Sequence, residues 1–293
     1  MHTFYFPTKT AWISSGSNLT TGVTQRDQNF GKDEILELKK VYHNSSLHHA
    51  SRILVEFDYS PISKSMYVDN TIPDAGTAHA LSSSVYLRMY EAEGNSELSK
   101  EYTIGAFAIS SSGSGSAAGD AGNVSMSWDE GHGKVIDSPK VTDGVSWRYR
   151  KNITGGTSHE WTHEGVGGQD GPPLYPEGFD AINGYQSFDN ESPDINLDLG
   201  VHFSLTQTTT FYHNNGLMLA LSGSQESDNE TRANLKFFSR NTNTIYSPKL
   251  EVKWNDASFD NNVTGSMNEL TMSGVADNYL YMRGLKESYK ETD

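Results

Sequence analysis

The chain has 293 residues, a formal net charge of −15 and no cysteine. Its acidity repels nucleic-acid phosphates and anionic lipid, so neither is expected as a partner. The missing thiols exclude disulfides, thiolate metal sites and cysteine nucleophiles.

No stretch reaches the roughly 18 apolar residues of a membrane span. The N-terminus, MHTFYFPTKTAWISS, has no basic region followed by a long apolar run, so no signal peptide is expected. Absent disulfides fit assembly in a reducing cytoplasm. A hydrophobic content of 35% with 27 glycines suits an all-β protein with many turns and a thin core.

In chain order, residues 3–14 read as a first strand with Phe4, Phe6, Trp12 and Ile13 towards the core. Residues 18–31 read as loop. Residues 34–41 fit helix or strand spacing. Strand is chosen, because SRILVEFD at 51–58 follows a polar turn and can close a hairpin with it. Pro61, Ile62 and Ser63 read as a turn. Residues 84–90, SVYLRMY, alternate Val85, Leu87 and Met89 against Tyr86, Arg88 and Tyr90, and TIGAFAIS at 103–110 is the expected partner. The small-residue run at 110–122 reads as an inserted loop.

Residues 125–184 show little periodicity and hold Trp128, Trp147 and Trp161. Such a long irregular region is usually a functional or interaction surface, and the tryptophans are expected to pin its loops to the sandwich. Residues 193–199 alternate as a strand. Asn214, Asn215 and Gly216 make a turn into a nearly continuous apolar strand at 216–221, with a polar loop at 225–233. In LKFFSRNTNTIYSPKLEVKW (235–254), two strands flank a polar loop. Arg240 is expected as a buried fork on the turn carbonyls.

Several residues invite chemistry. His159-Glu160-Trp161-Thr162-His163 is a literal HExxH, which binds zinc when a helix sets both histidines on one face. Glycines on both sides disfavour that helix, so no peptidase is expected. Asp129, Glu130 and Asp137 are a formal acid/base set, but surface carboxylates are the commoner case. His43, His48 and His49 lie in a polar turn. Asp180, Asp189, Asp194 and Asp198 are scattered acids. No cofactor is expected, and a Ca²⁺ ion held by converging acidic loops is left open. Trp147, Tyr149, Trp161 and Tyr175 are the candidate sugar or partner contacts, since an aromatic face takes the C–H patches of a sugar. Their other role, as the loops' own anchors, is preferred.

The succession SRILVEFD, SVYLRMY, WDEG, HNNGLMLAL and FFSRNTNTIYSPKLEVKW resembles the DNRLRE-type jelly-roll domains of bacterial surface proteins and polysaccharide-binding modules. The resemblance spans residues 8–254 and is sharpest at Phe238, Ser239, Arg240, Pro248, Leu250 and Val252. Asn241 stands where that family customarily has an acidic residue, so no salt bridge is inferred at this turn. The middle looks more like the version in virion structural proteins of tailed, T4-like marine phages.

The resemblance implies an all-β, jelly-roll-like antiparallel sandwich over 1–256, with loop insertions at 110–122 and 128–184. A C-terminal extension or linker at 257–293 would serve as an assembly contact. It also implies a non-enzymatic virion protein of a tail, neck, baseplate or fibre, assembled in the host cytoplasm. That protein would dock on other virion proteins in several copies or as a homo-oligomer. The alternative is a carbohydrate-binding module for a host glycan.

Overall fold

The computed structural model describes residues 2–16, 24–43, 46–67, 83–93, 102–109, 127–161, 185–188, 194–200, 203, 214–221, 225–226 and 228–254. The insertion at 110–122, Tyr175 and the extension at 257–293 lie outside the described residues.

The strands, in order, are β1 (His2–Tyr5), β2 (Pro7–Ser14), β3 (Ile35–His43) and β4 (Ser46–Phe57). After helix α1 (Ser60–Tyr67) come β5 (Ser83–Met89), β6 (Tyr102–Ala108), β7 (Tyr149–Lys151), β8 (His159–Glu160) and β9 (Tyr185–Phe188). The last are β10 (Ile195–Asp198), β11 (Leu217–Leu221), β12 (Arg232–Phe238) and β13 (Lys249–Trp254). Every pairing is antiparallel.

The smaller sheet runs β1-β13-β5-β10. The larger runs β12-β3-β4-β11-β6-β9, with β2 also on β4. This is an all-β sandwich in which the chain crosses between the sheets from β1 to β2, β4 to β5, β5 to β6, β9 to β10, β10 to β11 and β12 to β13. The inner core between the sheets holds Trp12, Leu36, Ile53, Val55, Phe57, Val85, Leu87, Ile104, Leu219, Phe237, Leu250 and Val252, among others.

The expected β3–β4 hairpin forms, with Lys40 opposite Ala50 and Val41 opposite His49. Four other expectations are corrected. Residues 3–14 form two strands, because the chain crosses between sheets at Phe6 and Pro7, and proline has no N–H to carry a ladder through. Phe4 and Phe6 consequently face out, 39% and 62% exposed, while Trp12 and Ile13 are buried as expected. The segment after β4 is a helix, not a turn. Asp58 Oδ1 accepts the N–H of Ser60, and Pro61 stands in the first turn, where its missing donor costs least.

β5 and β6 do not pair. β5 lies between β13 and β10, and β6 between β11 and β9. Arg240 is not a buried fork: its side chain is exposed, 3.6 Å from Glu130. The turn is instead held by buried Ser239, which donates to Asp33 O at 2.6 Å, and by Asn241, whose amide donates to Gly31 O at 3.0 Å. A carboxylate at 241 could not donate that bond.

β11 is buried on both faces. Leu217, Leu219 and Leu221 enter the inner core, and Met218 and Ala220 enter a second cluster on the outer face of the larger sheet. That second cluster is where the irregular region goes.

Candidate functional site

Residues 127–161 form a third layer over β2, β4, β11 and β6. Their apolar residues Trp128, Val145, Trp147 and Trp161 pack on Ala11, Ile13, Leu54, Ile109, Met218 and Ala220. Regular structure here is limited to β7 and β8, so backbone groups are satisfied piecewise, as buried ones must be. Trp128 Nε1 donates to Asn215 O and Trp161 Nε1 to Ser146 O, both at 2.9 Å.

Asn29 is the stitch between this layer and the sandwich. Fully buried, it donates to Glu130 O (2.8 Å) and Val145 O (2.7 Å) and accepts from Gly31 N (3.2 Å) and Gly133 N (2.8 Å). In the sequence it is one residue of the loop at 18–31, because a hub of this kind has no periodic signature. Beneath the layer, Arg52 and Glu226 form a buried two-pronged ion pair at 2.8 and 2.9 Å, and the guanidinium lies over the Trp147 ring at 5.2 Å.

The predicted sugar contacts divide. Trp147 and Trp161 are 0% and 3% exposed, so neither offers a ring face to a sugar in this conformation. The physical reason is the apolar outer face of β4 and β11, which the indoles cover. Tyr149 is half-buried with the Arg148 guanidinium over its ring at 5.2 Å, and Tyr175 is outside the described residues. Trp147, Tyr149 and Trp161 are brought together, but by packing.

The carboxylates are similarly engaged. Glu130 ties Thr10 N (3.0 Å), Lys32 (2.6 Å) and Arg240 (3.6 Å) across the layer boundary. Asp129 accepts from Gly131 N at 3.3 Å and Asp137 from Lys134 N at 2.6 Å. Asp194 accepts from Glu91 N and Asp198 from Gly200 N, both at 2.8 Å. Asp180 and Asp189 lie outside the described residues. His159 and Glu160 form strand β8, with Glu160 paired to Arg148 at 3.1 Å. A strand sends neighbouring side chains to opposite faces and cannot give the helical HExxH geometry; His163 is outside the described residues. Among the described residues, no group of three or more histidines and carboxylates could hold a metal ion.

His49 sits half-buried in β4. Burial pushes its pKa down to about 4, with nearby Lys39 acting in the same direction against Glu37 and a hydrogen bond involving Ala50. Its Nε2 is 3.4 Å from Ser14 Oγ, but Ser14 is fully buried, so this pair is not open to a substrate. The side chains of His43 and His48 lie outside the described residues.

A different set of aromatic groups faces outward. Pairing of β5 with β13 sets Arg88 opposite Lys249 and Tyr86 opposite Glu251, and β1 adds Phe4 opposite Glu251. Lys249 Nζ lies 4.7 Å from the Phe4 ring centroid and 4.9 Å from that of Tyr90. Lys253 Nζ lies 5.1 Å from that of Tyr86. Tyr246, 45% exposed, meets Tyr90 edge-on at 5.4 Å and stacks on Phe238 at 5.6 Å. Arg88 holds Glu251 at 2.7 Å. The outer face of the smaller sheet is thus a mixed aromatic and cationic surface. The sequence held its signal in the polar half of SVYLRMY and KLEVKW, but only the β5–β13 register shows that those halves adjoin.

No protein-family model matches the chain, and no curated protein matches it.

Proposed function

We propose that this is a non-enzymatic structural component of a tailed-phage virion, acting by docking on other virion proteins. The observation that carries the reading is the third layer. Residues 127–161, where Trp147, Trp161, Asp129, Glu130 and His159 invited chemistry, use their indoles for packing and Glu130 to hold Thr10 of β2 and the turn residues Lys32 and Arg240. A sandwich reinforced in this way suits a rigid part presented to neighbours. The phage setting rests on the resemblance of the middle region, from Trp128 through the Trp161 stretch, to the tailed-phage version of that domain, and an acidic chain without cysteine suits it.

The second reading, a carbohydrate-binding module, is favoured by one specific feature: the outer face of the smaller sheet, where Phe4, Tyr86, Tyr90 and Tyr246 stand beside Lys249 and Lys253. Aromatic rings with polar neighbours suit sugar stacking. This moves the candidate contacts away from Trp147 and Trp161.

One experiment separates the readings. The purified chain and a Tyr86→Ala/Tyr90→Ala variant are compared on a glycan array and in co-sedimentation with purified particles that lack the chain. The docking reading expects co-sedimentation without saturable glycan binding. Saturable glycan binding lost in the variant, without co-sedimentation, would replace it.

A further inference from the structure

A sandwich of two open sheets has edges, and an exposed edge is a template for another strand unless something covers it. Three terminal strands here lie in guarded surroundings. On β10, the Gln186 side chain accepts from Asn196 N at 2.7 Å and donates to Asp194 O at 2.9 Å, occupying outward backbone groups. Gln186 belongs to β9, the end strand of the larger sheet, so these two edges stand side by side. On β12, the segment after β5 takes the outward groups. Phe238 N donates to Tyr90 O at 3.1 Å and Ala92 N donates to Lys236 O at 2.8 Å. Even in β2, the backbone N–H of Thr10 is taken by Glu130.

β1 is different. It ends the smaller sheet, pairs only with β13, and among the described residues no side chain or loop bonds its other edge. It also lacks the usual deterrents. Residues 2–6, HTFYF, contain no proline, lysine or carboxylate, although the whole chain carries −15. Its outward side chains are aromatic: His2 lies 4.9 Å from the Phe4 ring, and Phe4 and Phe6 are exposed.

We infer that the β1 edge docks a second copy of this chain, strand β1 pairing antiparallel with its equivalent about a two-fold axis at Phe4. The strand is self-complementary in that arrangement. Phe4 meets Phe4, and His2 meets Phe6, on the outer face, while Thr3 meets Tyr5 on the inner one. Aromatic cross-strand pairs of this kind are favourable. Two strongly acidic copies repel over most of their surfaces; here they meet on a segment without a carboxylate, flanked by Lys249 and Lys253. A two-fold pair is also the commonest closed assembly. Four residues of edge bury less than a stable dimer needs, so the contact is weak alone and gains strength where many copies are held together. The choice of a second copy as occupant rests on the multi-copy docking reading above.

The test uses the full chain and its lack of native cysteine. Phe4→Cys puts the only thiol at the two-fold, where antiparallel Cα atoms about 4.5–5.5 Å apart allow a disulfide. Tyr185→Cys, on exposed strand β9, is the control. Under mild oxidation the Phe4→Cys chain is expected to form covalent dimer about tenfold or more faster than the control, as pre-association raises the effective thiol concentration. In sedimentation velocity, concentration-dependent association of the native chain is expected to vanish in Phe4→Lys. That lysine faces Glu251 within its own sheet but another lysine across the axis. Equal crosslinking rates, or association unchanged in Phe4→Lys, overturn the inference. Either result leaves the virion reading standing if the chain still co-sediments with particles, so the two can fail separately.

Discussion

Replacing Trp147 by alanine tests whether residues 127–161 are an integral layer or a detachable binding loop. The indole is fully buried against the outer face of the larger sheet, with the Arg52 guanidinium over it. Truncating a buried tryptophan to alanine costs about 3–5 kcal/mol through lost transfer energy and the cavity left behind. Loss of a desolvated cation–π contact adds about 1–2 kcal/mol. The Arg52–Glu226 pair beneath would become wetter but stay closed. In a chain of this size each kcal/mol moves the midpoint by about 2–4 °C, so melting should fall by about 8 °C or more. Urea unfolding followed by far-ultraviolet circular dichroism measures the free energy directly, with Ile136→Ala, at an 81% exposed site, as the control. A loss below about 1 kcal/mol would place Trp147 on the surface and refute the third layer.

Four further outcomes follow from particular contacts. Buried Lys40 donates to Gln225 O (2.8 Å), Asp228 O (2.5 Å) and the Asp228 carboxylate, so Lys40→Met should cost about 3–5 kcal/mol in urea unfolding, because the facing oxygens lose their cation. Asp228 resists protonation: burial opposes its charge, but bonds from Lys40, Arg232 and Glu230 N outweigh it and hold the pKa at about 2. Its contribution is therefore full above the unfolded value of about 3.9 and is lost as pH falls towards 2, and Asp228→Asn should flatten that limb of the stability curve. His49, held neutral, contributes with the same pH direction in a higher window. Stability is full above pH 6.5 and falls as pH drops towards 4, where only the unfolded chain takes up the proton, and His49→Gln should remove that slope. Gly216 has φ +88°, and a Cβ there would meet Val55 O at 2.5 Å, so Gly216→Ala should lower stability by about 1–3 kcal/mol in the same assay.

The strands were largely legible because alternation is a local property. SRILVEFD, SVYLRMY, GLMLAL and KLEVKW each became a strand with its aliphatic residues buried, Trp254 packing half-buried against the core. Strand partners were not legible, because period-two patterning tells which face is buried and not which strand lies alongside. Hence β5 and β6, adjacent in sequence and both strongly patterned, went to opposite sheets. The break at Phe6 and Pro7 had a signal in the proline, but two exposed phenylalanines hid it. In the irregular region, the tryptophans correctly marked an anchored segment. What they could not mark was its depth, which depends on Asn29, Glu130 and the apolar outer faces of β4 and β11. The outward aromatic face at Tyr86, Tyr90, Phe4 and Lys249 became visible only once the register was known.

The most direct test of the docking account is quantitative mass spectrometry of gradient-purified tailed particles from the source that encodes the chain. The account predicts the intact chain at a fixed stoichiometric ratio to the major tail or neck proteins, retained through a salt wash. Absence of the chain from particles that carry a complete set of their other components would contradict it.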